Sequence, residues 1–161
     1  MTDAELLHEA MGLKALDRAG WLRIGIASPE SVAAHSWGVA LAALLRCPPE
    51  LNREKVLVMA LIHDLAEVRV GDITPHDGVS RADKRERELL AARALFAGHP
   101  QLWDLWCEAE SQTSAEARFV KRMDTLDMGV QAEFYGNDGH AVDEFLAATI
   151  AERESLAKEQ G

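Results

Sequence analysis

Residues 61–75 read LIHDLAEVRVGDITP and set a histidine beside an aspartate inside an apolar run. A buried carboxylate is costly unless it is paired or holds a metal. Any fold that buries this run must therefore bring partners to His63 and Asp64 from elsewhere in the chain. Residues 53–69 are rich in Leu, Val and Ala and read as one helix. On such a helix Glu67 lies one turn beyond His63 and shares its face. Asp64 lies about 100° round from His63. Asp72 falls just past the helix end, where the chain can turn it back towards the same spot.

The pattern elsewhere is helical too. Leu6, Leu7, Leu13 and Leu16 have helix-compatible spacing over residues 3–19. GWLRIGIASPE interrupts them, and Ser28-Pro29 reads as N-cap and first residue of a helix over 29–46. Pro48-Pro49 ends it. VGDITPHDG is a loop by composition. Helices are expected over 81–97 and 100–110. Another starts at the capping box Thr113–Glu116 and runs to Tyr135, and the last covers 141–158. Only LRIGI and VRV look extended. The expectation is one all-α domain spanning residues 1–161, a compact bundle of six or seven helices.

His35 stands among Val32, Ala33, Ala34, Val39 and Ala40, and Asp124 among Met123, Leu126 and Val120. A lone histidine on an apolar face is most simply a core residue with a satisfied hydrogen bond. A lone acid there is most simply the solvated edge of a stripe. Three helices that each carry such a residue suggest convergence instead. Two imidazoles with two carboxylates form a mixed nitrogen and oxygen set suited to a divalent transition metal or magnesium. A metal would also explain how the carboxylates could be buried.

The order His35, His63-Asp64, Asp124 resembles the HD-domain metal-dependent phosphohydrolases. ESVAAHSW, LIHDLAEVRVGDITP, SAEARFVKRMDTLDMGVQAEFY and LDRAGWL resemble more closely the 5′-deoxynucleotidase group, bacterial and eukaryotic. The resemblance covers residues 10–135. It implies an α-helical HD fold and hydrolysis of nucleoside 5′-monophosphates, with deoxyribose forms favoured. It implies one divalent ion (Mn, Co, Mg, Fe or Zn) held by His35, His63, Asp64 and Asp124. It further implies Glu67 and Asp72 as the acid–base pair, Arg18 on the phosphate, Trp21 against the sugar, and a homodimer. Other readings are an HD enzyme for another phosphate ester, a two-metal HD oxygenase, and a non-catalytic nucleotide sensor.

The formal net charge of −10 argues against a nucleic-acid polymer as partner, because phosphate contacts dominate that affinity. A small phosphate ester needs only local cations. Two cysteines, Cys47 and Cys107, make no framework or thiolate site, and no run is long and apolar enough for a membrane span. The N-terminus lacks a basic segment before an apolar core, so a cytoplasmic protein is expected. Trp103 and Trp106 read as core or dimer surface, and SRADKRERE as a solvated helix face. His76, His99 and His140 lie in loop-like settings without paired acids and do not suggest a second metal.

Overall fold

Thr2 and Glu5 form a capping box: Glu5 N–H donates to Thr2 Oγ1 (3.3 Å) and Thr2 N–H to Glu5 Oε2 (2.8 Å). This starts α1, Asp3–Ala10, in a computed structural model that describes residues 1–158. The helix expected to reach residue 19 stops at Ala10 and continues as one 3₁₀ turn, Met11–Lys14. At Gly12 a Cβ would stand 2.7 Å from Val68 Cγ2, so the chain passes too close to another element for an ordinary helical side chain. Beyond the turn, Asp17 pairs in an extended bridge with Ser31. That bridge keeps residues just before Ser31 out of the helical region. The cap of the next helix is therefore Ser31 and not Ser28: Ser31 Oγ accepts from Ala34 N (3.2 Å).

Between these segments lies α2, Ala19–Arg23. LRIGI is its closing turn and not a strand. Gly25 has φ +86°, and Gly25 and Ile26 N–H donate to Leu22 and Trp21 carbonyls. Glycine reaches that conformation without penalty. Helix α3 spans Val32–Arg46 and α4 spans Arg53–Ile62. The single helix expected over 53–69 breaks at His63. Leu65, Glu67 and Val68 N–H donate three residues back, to Ile62, Asp64 and Leu65, so the chain winds tighter there. Helix α5, Glu67–Val70, follows, and VRV is helical in it.

Helices α6 (Arg81–Leu95), α7 (Pro100–Ser111), α8 (Ala115–Asn137), α9 (Asp143–Ala148) and α10 (Ile150–Ala157) complete the described chain. Ser114, not Thr113, caps α8, accepting from Ala117 N (3.0 Å), while Glu116 turns to the backbone N–H of Asn52. The helix expected over 141–158 divides at Thr149, which is fully buried and donates to the Phe145 carbonyl (2.8 Å).

The all-α bundle is organised round α8, which packs on α3, α4, α7, α9 and α10. Val39, Ala43, Val56, Met59, Val120 and Met123 fill the seam of α3, α4 and α8. A second apolar cluster gathers Leu95, Phe96 and Trp106 under α5–α7, and a third gathers Trp21, Ala132, Tyr135 and Val142. Trp103 and Trp106 stack at 5.9 Å, and the buried Trp106 donates its indole N–H to the His63 carbonyl (3.1 Å). Trp106 is thus core, set directly beneath the tight turn.

Where α8 meets α10, a Cβ at Gly129 would lie 2.6 Å from both Thr149 Oγ1 and Arg153 Cδ. Gly129→Ala should overpack this contact and destabilise the fold by about 1–3 kcal/mol, read as a lowered urea midpoint with an unchanged m-value. An unchanged midpoint would mean that the contact yields without cost.

Candidate metal centre

His35 is fully buried in α3. Its Nδ1 donates to Asp127 Oδ2 (2.8 Å), and its Nε2 lies 3.2 Å from Asp124 Oδ1 and 3.7 Å from Asp64 Oδ2. His63, at the tight turn, donates from Nδ1 to the Ala60 carbonyl (2.9 Å), leaving Nε2 3.2 Å from Asp64 Oδ2. The two rings meet edge to face at 5.5 Å. Neither Nε2 forms a hydrogen bond, although both are buried and carboxylate oxygens stand close by. Orphaned buried polar atoms need an explanation. Two imidazoles with Nδ1 tied off and Nε2 turned on carboxylates have the orientation of metal-ligating histidines. Ligand atoms of His35, His63 and Asp64 lie within 4.8 Å of one another, so this group could hold a metal ion. Asp124 flanks it, with Oδ2 taken by Lys121 Nζ at 2.7 Å.

The electrostatics point the same way. Burial disfavours charge on His35, and Arg18 adds to that. The carboxylates of Asp124 and Asp127 nevertheless raise its pKa to about 10. His63 is also raised: burial opposes, but Asp64 and Asp124 prevail. Burial works against ionisation of Asp64 and Asp124 as well, yet both are held below the usual carboxylate range. His63 and His35 do this for Asp64, and His35 and Lys121 for Asp124. The centre collects carboxylate charge so strongly that its histidines take up protons, which is the demand a divalent cation satisfies.

Asp64, Asp124, Glu67, Asp72, Arg18 and Trp21 all line one cleft of about 360 Å³ beside the histidines. Glu67, at the start of α5, is 3% exposed, with Oε2 unpartnered. Burial, then Asp64 and Asp72, push its pKa up, against Arg18 and Lys84. Arg18 stands 3.5 Å from Asp72 and 3.7 Å from Asp64. Asp72 Oδ2 also accepts the Ala19 N–H (2.9 Å), so it caps α2 from across the fold. Trp21 packs against Phe145 (4.2 Å) and edge-on to Tyr135 (5.2 Å), donating its indole N–H to Glu30 (2.9 Å). Asp64 and Asp124 also border a second hollow of about 220 Å³, with Glu88 and Glu110.

A family model described as "HD domain" matches residues 10–160. The chain belongs to the HD-domain family. The bovine protein named 5′-deoxynucleotidase HDDC2 is 41% identical over 128 residues, 76% of this chain and 62% of its own length. The zebrafish protein of that name is 40% identical over 146 residues, covering 85% and 72%. The crystal structure of the PH0347 protein from Pyrococcus horikoshii OT3 superposes with a TM-score of 0.83 at 33% identity, covering 97% of this chain and 96% of that one. The chain thus spans about three fifths of the bovine relative's length.

Several residues of this HD centre escaped the sequence reading. Asp127, one turn after Asp124, orients His35; the repeated acid in MDTLD was the available signal. Gly38 makes room for it, since a Cβ there would collide with the Asp127 carboxylate. Lys84 belongs to the run read as a solvated face. That reading holds for most of the run, but Lys84 turns inward to the Ile73 carbonyl (2.8 Å) and lines the cleft with Lys121. Among the described residues, His76, His99 and His140 join no metal-capable group. His76 instead faces Glu144 at 3.3 Å on the surface, and His99 faces Asp3 at 3.7 Å.

His63→Ala should abolish stoichiometric metal binding, measured by elemental analysis after dialysis, with far-UV circular dichroism retained. Full metal occupancy in that variant would remove His63 from the centre.

Proposed function

We propose that this chain is a metal-dependent 5′-deoxynucleotidase that releases phosphate from deoxynucleoside 5′-monophosphates. The observation that carries the reading is the pair of orphaned imidazole Nε2 atoms facing Asp64, which itself lines a cleft that also presents Arg18 and Glu67. The names of the bovine and zebrafish relatives support the substrate class. One ion of Mn, Co, Mg, Fe or Zn, held by His35, His63, Asp64 and Asp124, is the cofactor of this reading. Such a cation supplies Lewis acidity towards a phosphate oxygen and lowers the pKa of a water.

The chain's own residues do the rest. Phosphoryl transfer depends on positioning and charge neutralisation more than on a protein nucleophile. Arg18 offers a planar fork to the phosphate, and its present partners, Asp64 and Asp72, hold it at the cleft wall. Glu67 orients the attacking water, and the proton of that water is taken up by the Glu67–Asp72 pair. Water oxygen bonds to phosphorus as the bond to the sugar 5′-oxygen breaks. Asp72 acts with Glu67, so that the departing oxygen receives a proton. Lys84 and Lys121 flank the same space and add positive charge. Trp21 lies against the sugar and excludes water from that side. A homodimer also fits. Trp37, Leu41 and Leu45, spaced four apart on α3, are exposed, as are Val130 and Phe134 on α8. Two free cysteines suit the cytoplasm.

Glu67→Gln should keep its metal and lose about 10²–10⁴-fold in turnover, the usual range for general acid–base help. Near-normal turnover would make Glu67 a helix acid only. An aromatic wall against C2′ leaves a 2′-hydroxyl unpaired, at about 1–3 kcal/mol. Release of phosphate from dAMP should thus exceed that from AMP about tenfold to a hundredfold, and Trp21→Ala should narrow the gap. Equal rates on both sugars would reject the sugar role, while no release from any monophosphate by metal-loaded protein would reject the activity. Light scattering should give twice the chain mass; a monomer would reject the dimer.

A further inference from the structure

Glu30 touches nothing in the reaction above, yet four contacts meet at it. Its Oε1 accepts the Trp21 indole N–H at 2.9 Å. Its backbone carbonyl accepts the Arg18 N–H at 3.0 Å, and its backbone N–H donates to Tyr135 Oη at 2.8 Å. Its carboxylate also lies within 4.8 Å of the ligand-capable atoms of His35 and Asp127. The next residue, Ser31, pairs with Asp17 and caps α3, and its carbonyl accepts the His35 N–H (3.0 Å). A single turn of backbone therefore registers both residues assigned to the substrate, Arg18 and Trp21, against the first metal-facing histidine.

From this juxtaposition, and resting on the nucleotidase reading, we propose that Glu30 is a positioning residue that fixes the Trp21 ring at the sugar wall and so sets the preference for deoxyribose.

The physical ground is the isolation of the indole N–H. Trp21 is 2% exposed and wedged between Phe145 and Tyr135. With its acceptor removed, the N–H is left unpaired in an apolar setting, and the ring gains by tilting until it reaches water. The tilt opens the space beside C2′. Glu30, His35 and Asp127 could also be read as a second cation site. Two of the atoms that site needs are already engaged: His35 Nδ1 bonds Asp127 at 2.8 Å, and Glu30 Oε1 receives the indole. Glu30 carries a pKa raised first by burial, partly offset by the indole hydrogen bond, as suits a carboxyl that packs a tryptophan in the interior.

The test compares metal-loaded wild type, Glu30→Ala and Glu30→Gln as full chains. Three quantities are read: the Trp21 indole ¹⁵N–¹H resonance, assigned through Trp21→Phe; bound metal; and KM and kcat on dAMP and AMP. In Glu30→Ala the Trp21 resonance should move and the metal should stay. KM for dAMP should rise about tenfold, as expected for one lost buried hydrogen bond, with kcat largely kept and the dAMP/AMP ratio reduced. Glu30→Gln, whose amide oxygen still accepts, should restore both resonance and ratio. If Glu30→Ala does not fold, Trp21→Phe deletes the donor instead of the acceptor and should reproduce the reduced ratio. An unmoved Trp21 resonance overturns the proposal. So does metal loss with kcat falling alike on both nucleotides, which would put Glu30 in the metal shell. A wild type inactive on both nucleotides would sink the nucleotidase reading and the sugar role with it, while the resonance alone still decides whether Glu30 holds Trp21.

Discussion

Carboxylate charge gathered in the interior is the constraint on which the rest of this molecule depends. Asp64, Asp124, Asp127, Glu67 and Glu30 approach one seam between α3, α8 and the turn after α4. Like charges at such separations cannot all ionise in a low-dielectric setting without compensation. The two histidines are raised for that reason, and burial together with the neighbouring carboxylates pushes Glu67 up, while Arg18 stands near the same Asp64 oxygen that the histidines face and Lys121 pairs with Asp124. A divalent cation at the two free Nε2 atoms meets the same demand more directly, so the metal and the stability of this seam are one question.

The backbone departs from regular helix where this seam needs it. Tight winding after Ile62 turns His63 and Asp64 into the centre, with Trp106 holding the turn from below. Gly38 leaves room for Asp127, so α3 and α8 approach closely enough for the imidazole–carboxylate bond. Asp72 caps α2 and thereby sets the base of Arg18, joining the cleft wall to the loop after α5. The tight turn and these two contacts thus each place a side chain of the centre.

The cleft sets carboxylates beside cations. Carboxylates that would repel an anion line it, Asp64 among them beside the two histidines where a cation is called for, and Arg18, Lys84 and Lys121 line it too. Apolar rings, Trp21 and Phe145, form another part of the wall. On the nucleotidase reading, an acidic chain can take an anionic ligand without a basic surface, because the attraction is local and partly desolvated.

Residue types and their spacing by themselves determined the helical class and the kinship that HD-domain membership upholds, and they singled out His35, His63, Asp64 and Asp124, which the structure brings together. Those features follow from periodicity and from the expense of burying charge, both local properties of the chain. Tertiary structure decided the remainder. The helix starts at Ser31 and not at Ser28 because Asp17, fourteen positions earlier, holds Ser31 in a bridge. The helix over 53–69 breaks because His63 must face a carboxylate while Trp106 takes its carbonyl. The sequence reading did not single out Asp127 or Glu30, and it set Lys84 in a run read as a solvated face. Contacts with His35, Ile73 and Trp21, all remote or on other elements, draw them inward. Their roles depend on which partners share a volume, and that is a property of packing that no single stretch of chain contains.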